Sequence, residues 1–173
     1  MGGKVFQCTL WARLGTCAAT LGAVLAPGTV FDIGRAAADT TVALESSLRR
    51  CDFSLVTTAA TVPRTRLGTG SAVIHTSGST AIAVVHLVDA PDPGTHFDVG
   101  LIQEPRPSSA TCGPGDPATA FTGMDTDAAG SGTITIQDTI RPRTTGVWVI
   151  VERPNGNSQN PAEFYTSEFV APV

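Results

Sequence analysis

Apolar residues recur at every second position along much of this chain, and that period predicts β-strands. Cys51, Phe53 and Leu55 alternate with Asp52 and Ser54, and Phe97, Val99 and Leu101 with Asp98 and Gly100. Ile134, Ile136 and Ile140 alternate with Thr133, Thr135, Gln137 and Thr139. One face of each segment is apolar and the other wet, as in antiparallel sheets packed on one side. Further strands are expected over 71–76, 80–88, 146–152 and 163–170. Turn chemistry separates them, at 76–79, 89–94, 127–132 and 154–157, each rich in Gly, Pro, Asn, Asp or Ser. Only 41–50, with Leu44 and Leu48 four apart, offers a helical turn, and it is equally plausible as a tail.

Seven or more short strands with few helix signals predict an all-β fold, an antiparallel β-sandwich or a small barrel, and the sandwich is the choice here. It is immunoglobulin-like in strand content. The pattern of two cysteines on facing strands around a buried tryptophan is only half met. Trp148 lies mid-strand, but Cys112 sits in 105–117, a stretch rich in Pro, Gly and Ser. A bridge there would staple a long loop to an early segment.

Two segments are apolar on both faces. In 80–88, Ile82, Val84 and Val88 lie opposite Ala81, Ala83, Val85 and Leu87; in 146–152, Val147, Val149 and Val151 lie opposite Trp148 and Ile150. Central strands covered by loops account for this pattern. The sharper alternative is a groove for an apolar ligand, or a partner patch, at Trp148 and Ile150.

The first 38 residues break the strand pattern. Residues 1–31 contain no acid and two basic residues, Lys4 and Arg13, followed by 18 uncharged residues from Leu14 to Phe31. A positive start, an apolar centre and small residues at Ala36-Ala37-Ala38 predict a secretory signal peptide cut before Asp39. A cut after Gly28 is a second possibility. The competing reading is a retained anchor, for which 18 residues is the lower limit and Pro27-Gly28 an interruption. After cleavage no stable membrane span is expected.

This division changes how the composition is understood. Charged residues make up 15% of the chain, against about 25% in typical globular proteins. Thr, Ser, Gly and Ala take their place instead of long apolar runs. Residues 39–173 hold eight arginines, no lysine and 14 acids, a formal charge of −6 where the whole chain has −4. Such a surface repels nucleic acid and anionic lipid, so no nucleic-acid partner is expected. Arginine without lysine, beside abundant Ala, Gly, Pro and Thr, is the composition a GC-rich genome writes.

Two cysteines follow the signal segment, Cys51 and Cys112. In an exported chain an even pair is most simply a disulfide. It would close a loop of about 62 residues and stabilise by about 4 kcal/mol in the chain-entropy model.

Motif-based chemistry is sparse. No GxSxG elbow, HExxH, P-loop or GxGxxG before a helix occurs. Strand pairing would set His75 opposite 80–82, too far from His86 to share a metal. His86 and His96 flank the next loop and, as diagonal neighbours with Asp89 or Asp98, make weak candidates for zinc or copper. Ordinary strand and rim histidines explain them better, so no metal or cofactor is expected. The run Asp125-Thr126-Asp127 superficially suggests a calcium loop, but Ala129 and Ile136 stand where oxygen ligands are needed. No serine is marked as activated, and no catalytic residue is assigned. The long loops 105–120 and 153–161 are the remaining places for recognition.

Gly100-Leu101-Ile102-Gln103, Cys112, the run from Thr126 to Thr133 and Thr145-Gly146-Val147-Trp148-Val149 together resemble small exported actinobacterial proteins. The likeness is to the alanine- and valine-rich exported β-sandwich proteins of mycobacteria, a family of unknown function, and covers about 68–170. The resemblance implies a secreted sandwich with one disulfide and transfers no catalytic residue. The expected function is a non-catalytic exported domain of the cell envelope or culture medium, acting through protein or ligand contacts. The alternative is a carrier of an apolar small molecule on the Trp148 face; a metal-dependent or hydrolytic enzyme ranks third.

Overall fold

The computed structural model describes residues 38–56, 67–158 and 160–173. All of the expected signal segment but Ala38 lies outside them. The described residues contain nine strands and no helix: β1 Thr40–Glu45, β2 Thr69–Ser77, β3 Thr80–Val88, β4 His96–Glu104, β5 Thr119–Asp125, β6 Ser131–Thr139, β7 Gly146–Arg153, β8 Glu163–Ser167 and β9 Ala171–Pro172.

The strands follow one antiparallel order, β5-β4-β7-β8-β1-β2-β3-β6, with β9 added beside β7. The β1–β8 seam joins only Leu44 to Ser167 and Glu45 to Thr166, whereas β3 and β6 pair along their full length from Thr80↔Thr139 to Val88↔Ser131. The sheet therefore divides at β1–β8 into two four-stranded halves that fold over one core and nearly close. The all-β antiparallel expectation is met. Its immunoglobulin-like qualifier finds no specific support in this strand order.

Alternation decides what is buried. Ala72 and Ile74 of β2, Ala81, Ala83, Val85 and Leu87 of β3, Phe97, Val99 and Leu101 of β4, and Val147, Val149 and Val151 of β7 form one apolar cluster between the halves. Each large member contributes roughly 1.5–3 kcal/mol by leaving water. The outward face of β3, with Ile82 and Val84, is half-buried, and the register sets His75 opposite Ile82 and Val73 opposite Val84. β7 differs, being buried on both faces from Gly146 to Val151. Among the described residues, loop cover thus explains the second face of β7 but not that of β3.

Three expectations are corrected. The alternation of Cys51, Phe53 and Leu55 belongs to a turn, closed by Phe53 N–H donating to Arg50 C=O at 2.9 Å, with Phe53 at φ 62° and Leu55 54% exposed. A disulfide cysteine and a packed phenylalanine imitate a strand face there. The start of 41–50 is strand and not helix, because Val42 and Leu44 alternate into the core while Leu48 belongs to the following loop. β8 ends at Ser167, three residues earlier than expected. β5, at the end of the order, carries no alternating signal in the sequence, because only Met124 of its residues is fully buried.

Buried polar groups lock the corners. Gln103, 2% exposed, donates from Nε2 to Asp138 Oδ2 at 2.6 Å and to Thr139 C=O at 2.9 Å. Its Oε1 accepts from Arg141 N–H at 2.9 Å and from the Thr144 hydroxyl at 2.8 Å. The Tyr165 hydroxyl accepts from Gly68 N–H at 2.7 Å and donates to Glu163. Burial, and secondarily this bond, raises the Tyr165 pKa. Asp89 is fully buried and neither carboxylate oxygen is hydrogen-bonded among the described residues, so burial lifts its pKa, with Glu163 and Asp92 adding to the effect.

Candidate functional site: a disulfide-roofed cleft on the outer face of β4 and β7

The second face of β7 exists because its residues alternate without a polar set. Val147, Val149 and Val151 enter the main core, which sends Trp148 and Ile150 to the other side. Ile102 of β4 pairs with Trp148, and these three form a separate cluster flanked by Phe121, Phe53, Cys112 and Val170. Two loops cover it. Cys51 and Cys112 are joined as a disulfide with Cα atoms 5.5 Å apart, tying the turn after β1 to the β4–β5 connection. The expected bridge is therefore present, and its position roofs the tryptophan.

Trp148 is wholly buried and Ile150 only 8% exposed. Phe53 meets the indole edge-on, with centroids 5.5 Å apart and planes at 61°. The indole N–H donates to Glu104 Oε1 at 3.0 Å. Glu104 also accepts from Arg106 N–H at 2.7 Å, yet burial dominates and raises its pKa.

Between roof and strands a cleft of about 360 Å³ remains, with Ile102, Ile150, Trp148 and Phe121 on its apolar side. Arg49 and Glu152 also line it. Arg49 stacks on Phe53, its guanidinium carbon 3.8 Å from the ring centroid, and donates to the Phe53 and Glu168 carbonyls at 3.2 and 3.0 Å. These contacts tie the Phe53 turn to the chain after β8. Glu152 stands opposite Asp98 across the β4–β7 ladder. Burial raises its pKa, and the facing carboxylate adds to the shift. Like charges directly opposite on neighbouring strands repel, which favours the protonated acid.

No family model matches the chain, and no curated protein or solved structure matches it either.

The histidines do not converge. β3 pairs with β2 and β6, and β4 pairs with β5 and β7, so His86 and His96 are not the cross-strand neighbours expected from their loop. His86 Nδ1 bonds the Thr133 hydroxyl at 2.9 Å, while His96 Nδ1 bonds Asp125 Oδ1 at 2.6 Å with Asp98 at 3.5 Å from Nε2. The bond to Asp125 is the main reason the His96 pKa is raised. His75 pairs with Ile82, as its spacing predicted. Among the described residues no cluster of three or more metal-ligating side chains occurs.

Ile102, Phe121, Arg49 and Glu152 belong to the cleft without having been singled out from sequence. Ile102 carried a legible signal, since Leu101-Ile102 offers two adjacent apolar residues on a strand. Arg49 and Glu152 carried none.

Proposed function

We propose that this protein is an exported, non-catalytic binding domain of the cell envelope or culture medium. Its contact site is the disulfide-roofed cleft, which takes a protein side chain or a small apolar group. The observation carrying this reading is an apolar cleft wall built on the second face of β7 and kept under cross-linked loops. A structural strand needs no such cleft, and a cross-link between two recognition loops fixes their shape before contact, lowering the entropy cost of binding. The bridge also suits an oxidising compartment outside the cytoplasm.

The carrier of an apolar ligand is the second reading, favoured by the same wall. With Trp148 fully covered, a ligand would meet Ile150 and Phe121 first and be sensed by the indole through small shifts of the roof. The test is Trp148 emission, which reports alone once residues 1–38 and their Trp11 are removed. Titration with decanoate, dodecyl maltoside and a small aromatic amide is expected to give a saturable change that Phe121→Ala weakens. Unchanged emission across the panel would sink the carrier reading. Turnover abolished by replacing one Ser, His or Asp would sink the non-catalytic one.

A further inference from the structure

A second and larger cleft, about 540 Å³, opens beside the corner where Gln103 ties β4 to the β6–β7 connection. Its walls include Pro105, Pro107 and Pro142, and three arginines line it: Arg106, Arg141 and Arg143. Residues 39–173 contain only eight arginines against 14 acids, so three in one cleft is a local inversion of the protein's charge. Among the described residues no carboxylate lines this cleft. Asp138 accepts from Gln103, and the Glu104 carboxylate from Trp148 and the Arg106 backbone. The side chains of Arg141 and Arg143 are exposed and take part in no ion pair or hydrogen bond among the described residues. Arg106 donates to the Pro117, Ala118 and Thr111 carbonyls, and the Glu104 carboxylate offsets part of its charge, so the exposed charges of the cleft are those of Arg141 and Arg143. The buried Nε–H of Arg106 has no acceptor among the described residues.

The backbone around the arginines is held in place with some strain. Thr144 N–H donates to Arg141 C=O at 3.1 Å, closing a turn over Pro142 and Arg143. The two acceptor bonds of Gln103 grip that turn at Arg141 and Thr144. Arg143 has φ 75° and Ala118, which also lines the cleft, φ 60°, a left-handed region that L side chains avoid. Glycine or asparagine would suit either position better. Such outliers persist where surrounding structure enforces them, and they cluster at ligand sites.

We infer that this cleft binds an organic anion, with a carboxylate or phosphate group on Arg141 and Arg143 and a flat apolar body against the proline walls. Guanidinium groups match both anions through paired N–H donors. The proline walls present apolar surface that is already rigid, so docking a ring there orders little further chain. The site is separate from the roofed cleft, from which it shares no lining residue.

The test is an amide-shift titration of the isotope-labelled protein with phenyl phosphate, benzoate, inorganic phosphate and neutral benzyl alcohol. Phenyl phosphate or benzoate should move the amides of Arg106, Arg141, Arg143 and Thr144 saturably, and more tightly than inorganic phosphate does. Benzyl alcohol should leave them in place. The two aromatic anions together rank the phosphate and carboxylate headgroups. Arg141→Gln with Arg143→Gln should weaken binding about tenfold or more, equivalent to about 1.4 kcal/mol per decade. Trp148 emission should stay unchanged, showing the fold intact. Absence of saturable shifts, equal shifts with benzyl alcohol, or undiminished binding by the double variant would overturn the proposal.

Discussion

Removing the disulfide is the perturbation with the largest consequence. Replacing Cys51 and Cys112 by serine frees a loop whose ends are 61 residues apart. In the chain-entropy model the restored freedom of the unfolded chain amounts to about 4 kcal/mol. At about 2.1 cal/mol/K per residue, residues 39–173 unfold with an entropy on the order of 280 cal/mol/K, so the melting temperature should fall by about 14 °C. The native state also loses something specific. The bridge holds the turn carrying Phe53 over the indole, and that edge-on contact contributes roughly 0.5–1.5 kcal/mol beyond its area. The roof should loosen first, admitting water to Trp148 and shifting its emission to the red before the sheet melts. Thermal melts followed in parallel by far-ultraviolet circular dichroism and tryptophan emission would separate the two events. A fall under about 4 °C, with emission unchanged and coincident with melting, would refute the reasoning. It would mean that Arg49 and its carbonyl partners hold the roof unaided.

Replacing Gln103 by leucine preserves volume but removes four hydrogen bonds, and should cost about 2–4 kcal/mol in urea unfolding; a loss under about 0.5 kcal/mol would show that water takes over these contacts. Gly130→Ala should destabilise strongly, by more than about 2 kcal/mol, because at φ 78° its new Cβ would lie 2.1 Å from the Asp89 carbonyl oxygen. Gly94→Ala, at φ 73° with open space around it, should cost only about 1 kcal/mol, so equal losses would contradict the packing argument. Stability, measured as melting temperature, should fall as pH rises from about 4.5, just above the unfolded carboxyl values, to about 7.5, past the unfolded imidazole value. Asp89, Glu104 and Glu152 have native pKa values raised first by burial, so their contribution is complete below the unfolded carboxyl range and lost as pH rises through the native values. His96, raised by Asp125, has the same sign, present below about 6.5 and lost above its native value. Asp52 and Asp127, lowered by hydrogen bonds, act only toward strong acid, where protonation removes their contribution. A flat or rising melting temperature over that interval would contradict this assignment, and Asp89→Asn should shrink the fall.

The parts of the fold that alternation could reveal were legible in the sequence. β3 is expected over Thr80–Val88 and spans those residues, but with apolar residues on both of its faces only the structure shows that Ala81, Ala83, Val85 and Leu87 are the ones facing the core. β5 was not legible, since Thr119-Ala120-Phe121-Thr122 presents weak contrast between faces and pairs on one side only, with β4. The turn at Cys51–Leu55 misled for the opposite reason: alternation arose from a cross-link and a roof contact instead of a sheet. Trp148 and Ile150 were placed on one face correctly by period two. What covers them was not legible, because it depends on which loops the fold brings back across β4 and β7. The arginine cleft lies further beyond reach. Arg106 and Arg141 are 35 positions apart, and only the Gln103 bonds and the β4–β7 register bring their loops to one corner.

Arg143 offers a way to separate stability from binding at that corner. A left-handed conformation costs an ordinary L residue roughly 1–2 kcal/mol, and asparagine suffers less because its short amide bonds locally. Glycine would relieve the strain too, but would return part of the gain through a freer unfolded chain. Arg143→Asn should therefore raise stability by about 0.5–1 kcal/mol. If the arginine serves only as a solvated turn residue, nothing else should change. If it holds an anion, the same substitution should weaken phenyl phosphate binding by about tenfold, a loss of about 1.4 kcal/mol. A stabilised variant that binds less well would show the strained residue retained at a net cost to stability, the trade expected at a functional site. A destabilised variant would remove the strain argument, and a stabilised one with unchanged affinity would remove Arg143 from the anion site.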